Sequence, residues 1–141
     1  MIKIKETKYL FNLNKVINLL NELYPHKQPN ELKKGLKLLR KQKDFHLIVA
    51  YDKSEAVAIS CINSGYLLYC EKYLQISSLY IKPDYRNLGI AQNLFKKAVI
   101  IAKKTKASKI VLDSYITNND SHKTYFRENF SINAYHFVKE L

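Results

Sequence analysis

The sequence predicts a mixed α/β fold in one domain over residues 1–141. Its centre is a mixed, mostly antiparallel sheet of six to seven strands with one parallel pair, flanked by about four helices. Three observations predict it. First, the β-favouring Ile76, Leu79 and Ile81 run into Pro83, which forbids further ladder pairing. Ile90, Leu94, Ala98, Ile101 and Ala102 then recur at helical spacing, with Lys96, Lys97, Lys103 and Lys104 on the other side. Second, residues 109–115 form a short apolar run after that helix, and a strand–helix–strand unit of this length makes a right-handed crossover to a parallel neighbour. Third, the segments before it read as one strand, two helices and a three-stranded meander.

Taken in order, residues 2–6 alternate as a first strand. Asn12 or Asn14 is placed to cap a helix carrying Val16, Leu19, Leu20 and Leu23, which stops before Pro25. After Pro29-Asn30 a second helix turns Leu32, Leu36 and Leu39 inward and Lys33, Lys34, Lys37, Arg40 and Lys41 outward, a solvated basic face. Residues 45–51 are a strong strand, Asp52-Lys53-Ser54 a turn, and residues 55–62 the hairpin partner, with Val57, Ile59 and Cys61 alternating. Asn63-Ser64-Gly65 reads as a bend or bulge before extended residues 66–69, and residues 73–81 are the third member. Beyond the crossover, Asn118-Asn119-Asp120-Ser121 is a cluster of N-cap residues that opens a short helix through Tyr125 and Phe126. Residues 130–138 return as a final strand.

Composition narrows the function classes. With 141 residues, 47% of them apolar, the chain is large enough for one real core. No apolar run reaches the roughly 18 residues of a membrane span, and the alternating start is no signal peptide. Cys61 and Cys70 lack metal-ligand spacing, so no metal site is expected, and a reduced, cytoplasmic protein is the simpler reading. The net charge of +12 attracts anionic partners. It comes mostly from scattered Lys, with Arg only at positions 40, 86 and 127, so nucleic acid is a possible partner that composition does not favour.

The stretch Arg86-x-x-Gly89-x-Ala91 lies between strand and helix. A turn that aims the first amides of a helix at one point is an anion site, because unpaired N–H groups and the positive end of the macrodipole both face the ligand. Gly89 permits close approach or a positive φ, Ala91 leaves room, and Arg86 adds fixed charge. This run resembles the acetyl-CoA-binding motif of the GNAT superfamily of N-acetyltransferases: Gln or Arg, two residues, Gly, one residue, then Gly or Ala. The resemblance implies a GNAT fold with its parallel pair splayed, and acetyl-CoA as cosubstrate. It implies that Leu79, Tyr80 and Ile81 face pantetheine and that Arg86, Asn87, Leu88, Gly89, Ile90 and Ala91 cradle the pyrophosphate.

A second segment, Asn118-x-x-Ser121-x-x-x-Tyr125-x-x-x-Asn129-Phe130, resembles the family's other motif. By that resemblance Asn118 contacts the cofactor and Tyr125 both lies against it and serves as general acid. Asn129 stands where the family has Gly, and Asn is the residue that best tolerates φ > 0 after glycine. The resemblance also places Tyr24, Pro25, His26 and Lys27 beside the acceptor. Dimers through the final strands are common in similar folds, so a homodimer is possible, but the sequence itself does not reveal the oligomeric state.

Acyl transfer from a thioester to an amine requires a neutral amine, donors for the oxyanion and a proton for the thiolate. Main-chain amides near Leu79, with Ser114 or Tyr115 opposite, can meet the second demand, and Tyr125 the third. For the first, Glu71, Asp113, His122, His136 and an ordered water are all open. No nucleophile elbow or paired Cys and His is visible, which favours direct attack in a ternary complex. The acceptor is then an amine, on a small molecule or a protein. Two other functions are conceivable: a toxin of the same fold that acetylates aminoacyl-tRNA, holding RNA by a contiguous basic groove, and a non-catalytic CoA-binding regulatory domain.

Overall fold

The computed structural model describes residues 1–7 and 13–141. Five strands form one sheet in the order β1-β2-β3-β4-β5: β1 (Ile2–Glu6), β2 (His46–Asp52), β3 (Glu55–Leu67), β4 (Glu71–Ile81) and β5 (Lys109–Leu112). The first four pair antiparallel, and β5 joins β4 in parallel. Four α-helices accompany them among the described residues: α1 (Leu13–Leu23), α2 (Pro29–Leu39), α3 (Ile90–Thr105) and α4 (Asn119–Arg127). This is the mixed α/β architecture read from the sequence.

The sheet separates two cores. On one face, Ile48, Ala50, Ile62, Leu74 and Ile76 bury against Ile90, Leu94, Phe95, Ala98, Ile101 and Ala102 of α3. On the other, Leu47, Val49, Ile59 and Cys61 bury against Val16, Ile17, Leu19 and Leu20 of α1 and Leu36 of α2. Strand alternation allots these residues: Leu47 and Val49 face α1, Ile48 and Ala50 face α3. The β2 strand is therefore covered on both sides and reads as a continuous apolar run.

The structure corrects several element expectations. The sheet has five strands among the described residues, since residues 130–138 form none and 131–141 are exposed throughout. Their apolar residues, Ile132, Tyr135, Phe137 and Val138, do not alternate strictly with polar ones, so no single face is offered for burial. Asn14 lies inside α1 and does not cap it, and Asn12 falls outside the described residues. Asn63-Ser64-Gly65 does not bend the chain: β3 runs through it to Leu67. The glycine is there because Gly65 pairs with Tyr73, and a Cβ on it would stand 2.3 Å from the tyrosine ring. The strand expected over residues 109–115 ends at Leu112, where it leaves β4.

Candidate active site

The site is made by the parting of β4 and β5. Their register runs from Tyr73↔Lys109 to Ile76↔Leu112 and stops, while β4 continues for five residues to Ile81. On the other edge β4 stays paired with β3, through Ser60↔Leu79, Ile59↔Tyr80 and Ala58↔Ile81. Among the described residues, the edge of β4 that faced β5 thereby has no strand partner from Ser77 onward. Main-chain N–H and C=O groups there need another partner. This is the splayed parallel pair expected above.

A bulge coincides with the parting. Cys61 pairs with Ser78 but Ile62 pairs with Ile76, so Ser77 is the extra residue. The bulge reverses which residues face which side: Leu74 and Ile76 pack on the α3 core, and beyond it so do the odd-numbered Leu79 and Ile81. Ser78 and Tyr80 turn to α1 instead. Ser77 Oγ donates to Asn63 Oδ1 (2.6 Å) and to the Cys61 carbonyl (3.3 Å), fixing the bulged residue. The Tyr24 hydroxyl meets Ser78 Oγ at 2.8 Å, and the Tyr80 hydroxyl donates to Glu22 Oε2 at 2.8 Å. Burial, with help from Glu22, pushes the Tyr80 phenol above its ordinary value.

At the far end of β4, Pro83, Asp84 and Tyr85 make one 3-10 turn that leads into the loop. Arg86 is extended and its Nε donates to the Ile81 carbonyl at 3.1 Å, tying the loop to the strand. Asn87 has φ 62°, and Gly89, the residue before α3, has φ 75°. The ladder of α3 opens with Asn93 N–H on the Gly89 carbonyl at 3.1 Å, so the amides of Ile90, Ala91 and Gln92 have no helical acceptor. A Cβ on Gly89 would find no protein atom within 4 Å, so the space over the loop is open. Ile90 is buried and anchors the helix start in the core, Ala91 is half-buried, and Leu88 is exposed. The loop has the features an anion cradle requires: positive-φ backbone, free amides, a nearby guanidinium and empty space.

Across the gap, α4 begins at Asn118, whose Oδ1 accepts from Ser121 N–H at 3.4 Å. Asn118 thus caps the helix, a structural role that exists alongside any contact with a cofactor. Tyr125 is half-buried and set between Phe95 and Phe130, with ring centroids 6.1 Å from each. Burial raises its phenol above the ordinary tyrosine value, and the Ser121 hydroxyl lowers it in part. Asn129 has φ 63°, and the Phe130 amide then returns to the Tyr125 carbonyl at 3.0 Å. The asparagine at the glycine position therefore makes the turn.

The expected site residues separate into two faces. Leu79, Ile81, Ile90, Ala91 and Tyr125 gather on the α3 core. Tyr24 and Tyr80 lie on the α1 core. His122 Nε2 meets Ser114 Oγ at 3.1 Å, which places that serine on the α4 side, whereas Tyr115 is exposed. Glu71 stands at the start of β4, remote from the gap. Sequence reasoning missed Glu22 and the bulge at Ser77, for neither has a local signature. Among the described residues no group of three or more His, Cys, Asp or Glu could hold a metal ion, and no helix is long and apolar enough to cross a membrane. Cys61 and Cys70 are free and buried, and burial pushes the Cys61 thiol up to about 12.

Comparison with known proteins bears on this arrangement. Residues 13–130 match the acetyltransferase (GNAT) family. A 61-residue segment is 30% identical to thialysine N-epsilon-acetyltransferase of Caenorhabditis elegans, covering 43% of this chain and 38% of that protein's length. Among solved structures, a transcriptional regulator from Bacillus halodurans C-125 shares 20% identity at a TM-score of 0.88, over 100% of both chains. An aminoglycoside N-acetyltransferase, AAC(6')-Iy in complex with CoA, shares 13% identity at a TM-score of 0.90, over 100% of this chain and 95% of that one. At such identities the structural likenesses concern the fold.

Proposed function

The chain belongs to the acetyltransferase (GNAT) family, and we propose that it is a single-domain, acetyl-CoA-dependent N-acetyltransferase over residues 1–141. It moves an acetyl group to a primary amine by direct attack in a ternary complex. The observation that carries this reading is a junction. A strand edge released at Ile76 leads within a few residues to a positive-φ glycine and the open amides of α3.

Acetyl-CoA supplies the acyl group as an activated thioester. In this reading Leu79, Tyr80 and Ile81 face the pantetheine arm. The arm pairs with the main-chain groups on the open edge of β4, those of Leu79 and the Ile81 amide, as a missing strand would, while Tyr80 stays paired with Ile59 of β3. The amides from Arg86 to Ala91, with the Arg86 charge, hold the pyrophosphate. Asn118 borders the cofactor from the start of α4. Tyr125 gives the departing sulfur its proton, since a phenol held above its ordinary value keeps that proton at neutral pH. The acceptor nitrogen approaches from the α1 face, past Tyr24.

Nothing in the placement of charge favours a nucleic-acid acceptor. The exposed lysines are scattered: on the outer faces of α2 (Lys33, Lys34, Lys37) and α3 (Lys96, Lys97, Lys103, Lys104), on opposite sides of the sheet, and also on β1 (Lys3, Lys5), in turns (Lys53, Lys106) and on α4 (Lys123).

Calorimetric titration with CoA tests the reading. Wild type is expected to bind in the micromolar range. Gly89→Ala should weaken binding about tenfold or more, about 1.4 kcal/mol, because its Cβ enters the open space over the loop. Equal affinity of the two proteins for CoA would remove the loop assignment. Thiol release in the presence of amines then separates an enzyme from a regulatory CoA binder.

A further inference from the structure

The gap carries a second titratable group, on the face opposite Tyr125. Beyond Leu112 the chain keeps alternating. Ser114 turns with Ile110 and Leu112 to the α3 side, where His122 meets it. Asp113 turns the other way, and its Oδ2 accepts from Gln75 Nε2 at 3.2 Å. Gln75 is the last β4 residue but one before the bulge at Ser77, so this carboxylate is anchored where the strands part. His136 Nδ1 lies 3.2 Å from the same Asp113 oxygen.

We propose that His136 is the general base of acetyl transfer, with Asp113 and Gln75 as its positioning residues. The inference rests on the acetyl-transfer reading above. An imidazole whose Nδ1 faces a carboxylate keeps its proton on that nitrogen and presents a lone pair on Nε2. His136 is 62% exposed, so an acceptor can reach it. Base and acid stand on opposite faces of the gap. That suits a reaction in which nitrogen bonds to the carbonyl carbon from one side and sulfur departs toward the other.

The step balances. The amine lone pair forms the C–N bond, and His136 Nε2 takes the proton the nitrogen gives up. The C–S bond breaks with its electron pair on sulfur, which takes the Tyr125 proton. Solvent then relieves His136 of its proton and restores that of Tyr125. The competing bases are less well placed: Glu71 is at the other end of β4, and His122 is engaged with Ser114 on the acid's side.

Other charged or titratable groups border this face. Lys139 and Glu140 share the C-terminal segment with His136. Glu22, Tyr80, Lys82 and Glu55 form one hydrogen-bonded and ion-paired set on β4 and its neighbours, and Tyr24 and His26 lie at the α1–α2 joint.

The test uses the full chain in two measurements. Nitrogen–proton correlation spectra of the imidazoles should show His136 protonated on Nδ1 in wild type, and Asp113→Asn should shift it toward Nε2–H. In thiol-release assays His136→Gln should lower kcat about a hundredfold. It should leave KM for acetyl-CoA unchanged. Asp113→Asn should give a smaller loss of kcat. An Nε2–H tautomer in wild type, or an unaltered kcat in His136→Gln, would overturn the assignment while acetyl transfer stands. Wild type that neither binds CoA nor releases thiol with amines would overturn both.

Discussion

Tyr125 illustrates how much a single position can be asked to do. Its ring fills space between Phe95 and Phe130, and its hydroxyl is the proposed acid. Tyr125→Phe keeps the ring and loses only the proton, so packing and catalysis come apart. We expect thermal stability near wild type, affinity for CoA changed only modestly, and kcat lowered about a hundredfold. An unaltered kcat would leave Tyr125 as packing. The pH dependence has a definite sign. The buried phenol is raised, so the acid form persists through neutral pH and is lost only above the ordinary value of about 10. Folding stability follows the same sense, full below pH 10 and falling as pH rises through the folded value. At Gly65 the constraint is steric alone. Gly65→Ala puts a methyl within 2.3 Å of the Tyr73 ring, which must shift between β3 and β4, at a cost of about 1–3 kcal/mol. Denaturant unfolding would measure it, and a change within 0.5 kcal/mol would mean the ring moves freely.

Elements are held by their ends and their crossings, and two of these give separate predictions. The α3 helix stops at Lys106, a left-handed cap with φ 58°, where the Ala107 amide reaches back to the Ala102 carbonyl at 2.9 Å. A left-handed non-glycine residue costs about 1–2 kcal/mol. Lys106→Gly should therefore raise stability, by about 0.5–1 kcal/mol once the entropy of the added glycine is set against it. A lower melting temperature would show that the lysine side chain contributes more than its backbone costs. Asp44 joins the segment before β2 to Lys72 on β4 at 2.8 Å and to Ser64 on β3 at 3.1 Å. The Lys72 contact holds its carboxyl below the usual range. Such a group stabilises above its unfolded pKa, near 4, and stops doing so as pH falls through the lower folded value. Asp44→Asn should cost about 0.5–1 kcal/mol at pH 7, and the difference should close in acid. The elements themselves were legible where one pattern governed them: the Ile90-to-Ala102 stripe gave α3, and the positive φ of Gly89 and Asn129 followed from residue type. What escaped was long-range. The bulge at Ser77 is a mismatch between two strands, and the meeting of Asp113, Gln75 and His136 joins three segments with no spacing in common.

For the whole molecule, the question is how much of the chain the sheet needs. The two cores are closed by five strands and the helices α1 to α4, and the apolar residues beyond Phe130 contribute to neither. Ile132, Tyr135, Phe137 and Val138 are each at least 72% exposed. Tolerance to truncation follows from burial and hydrogen bonding of the lost segment, not from its position. A chain ending at Phe130 keeps the Phe95–Tyr125–Phe130 contact, the Arg86-to-Ala91 loop and both cores. It loses the His136 imidazole. The expected result is a protein that melts within a few degrees of wild type and binds CoA equally well. Its acetyl transfer should be slowed to the level of His136→Gln. Calorimetry with and without CoA, followed by thiol release, would measure all three. Loss of folding on truncation would mean that residues 131–141 pair as a further strand after all, in this chain as the final strand expected from the sequence, or with a second copy of it.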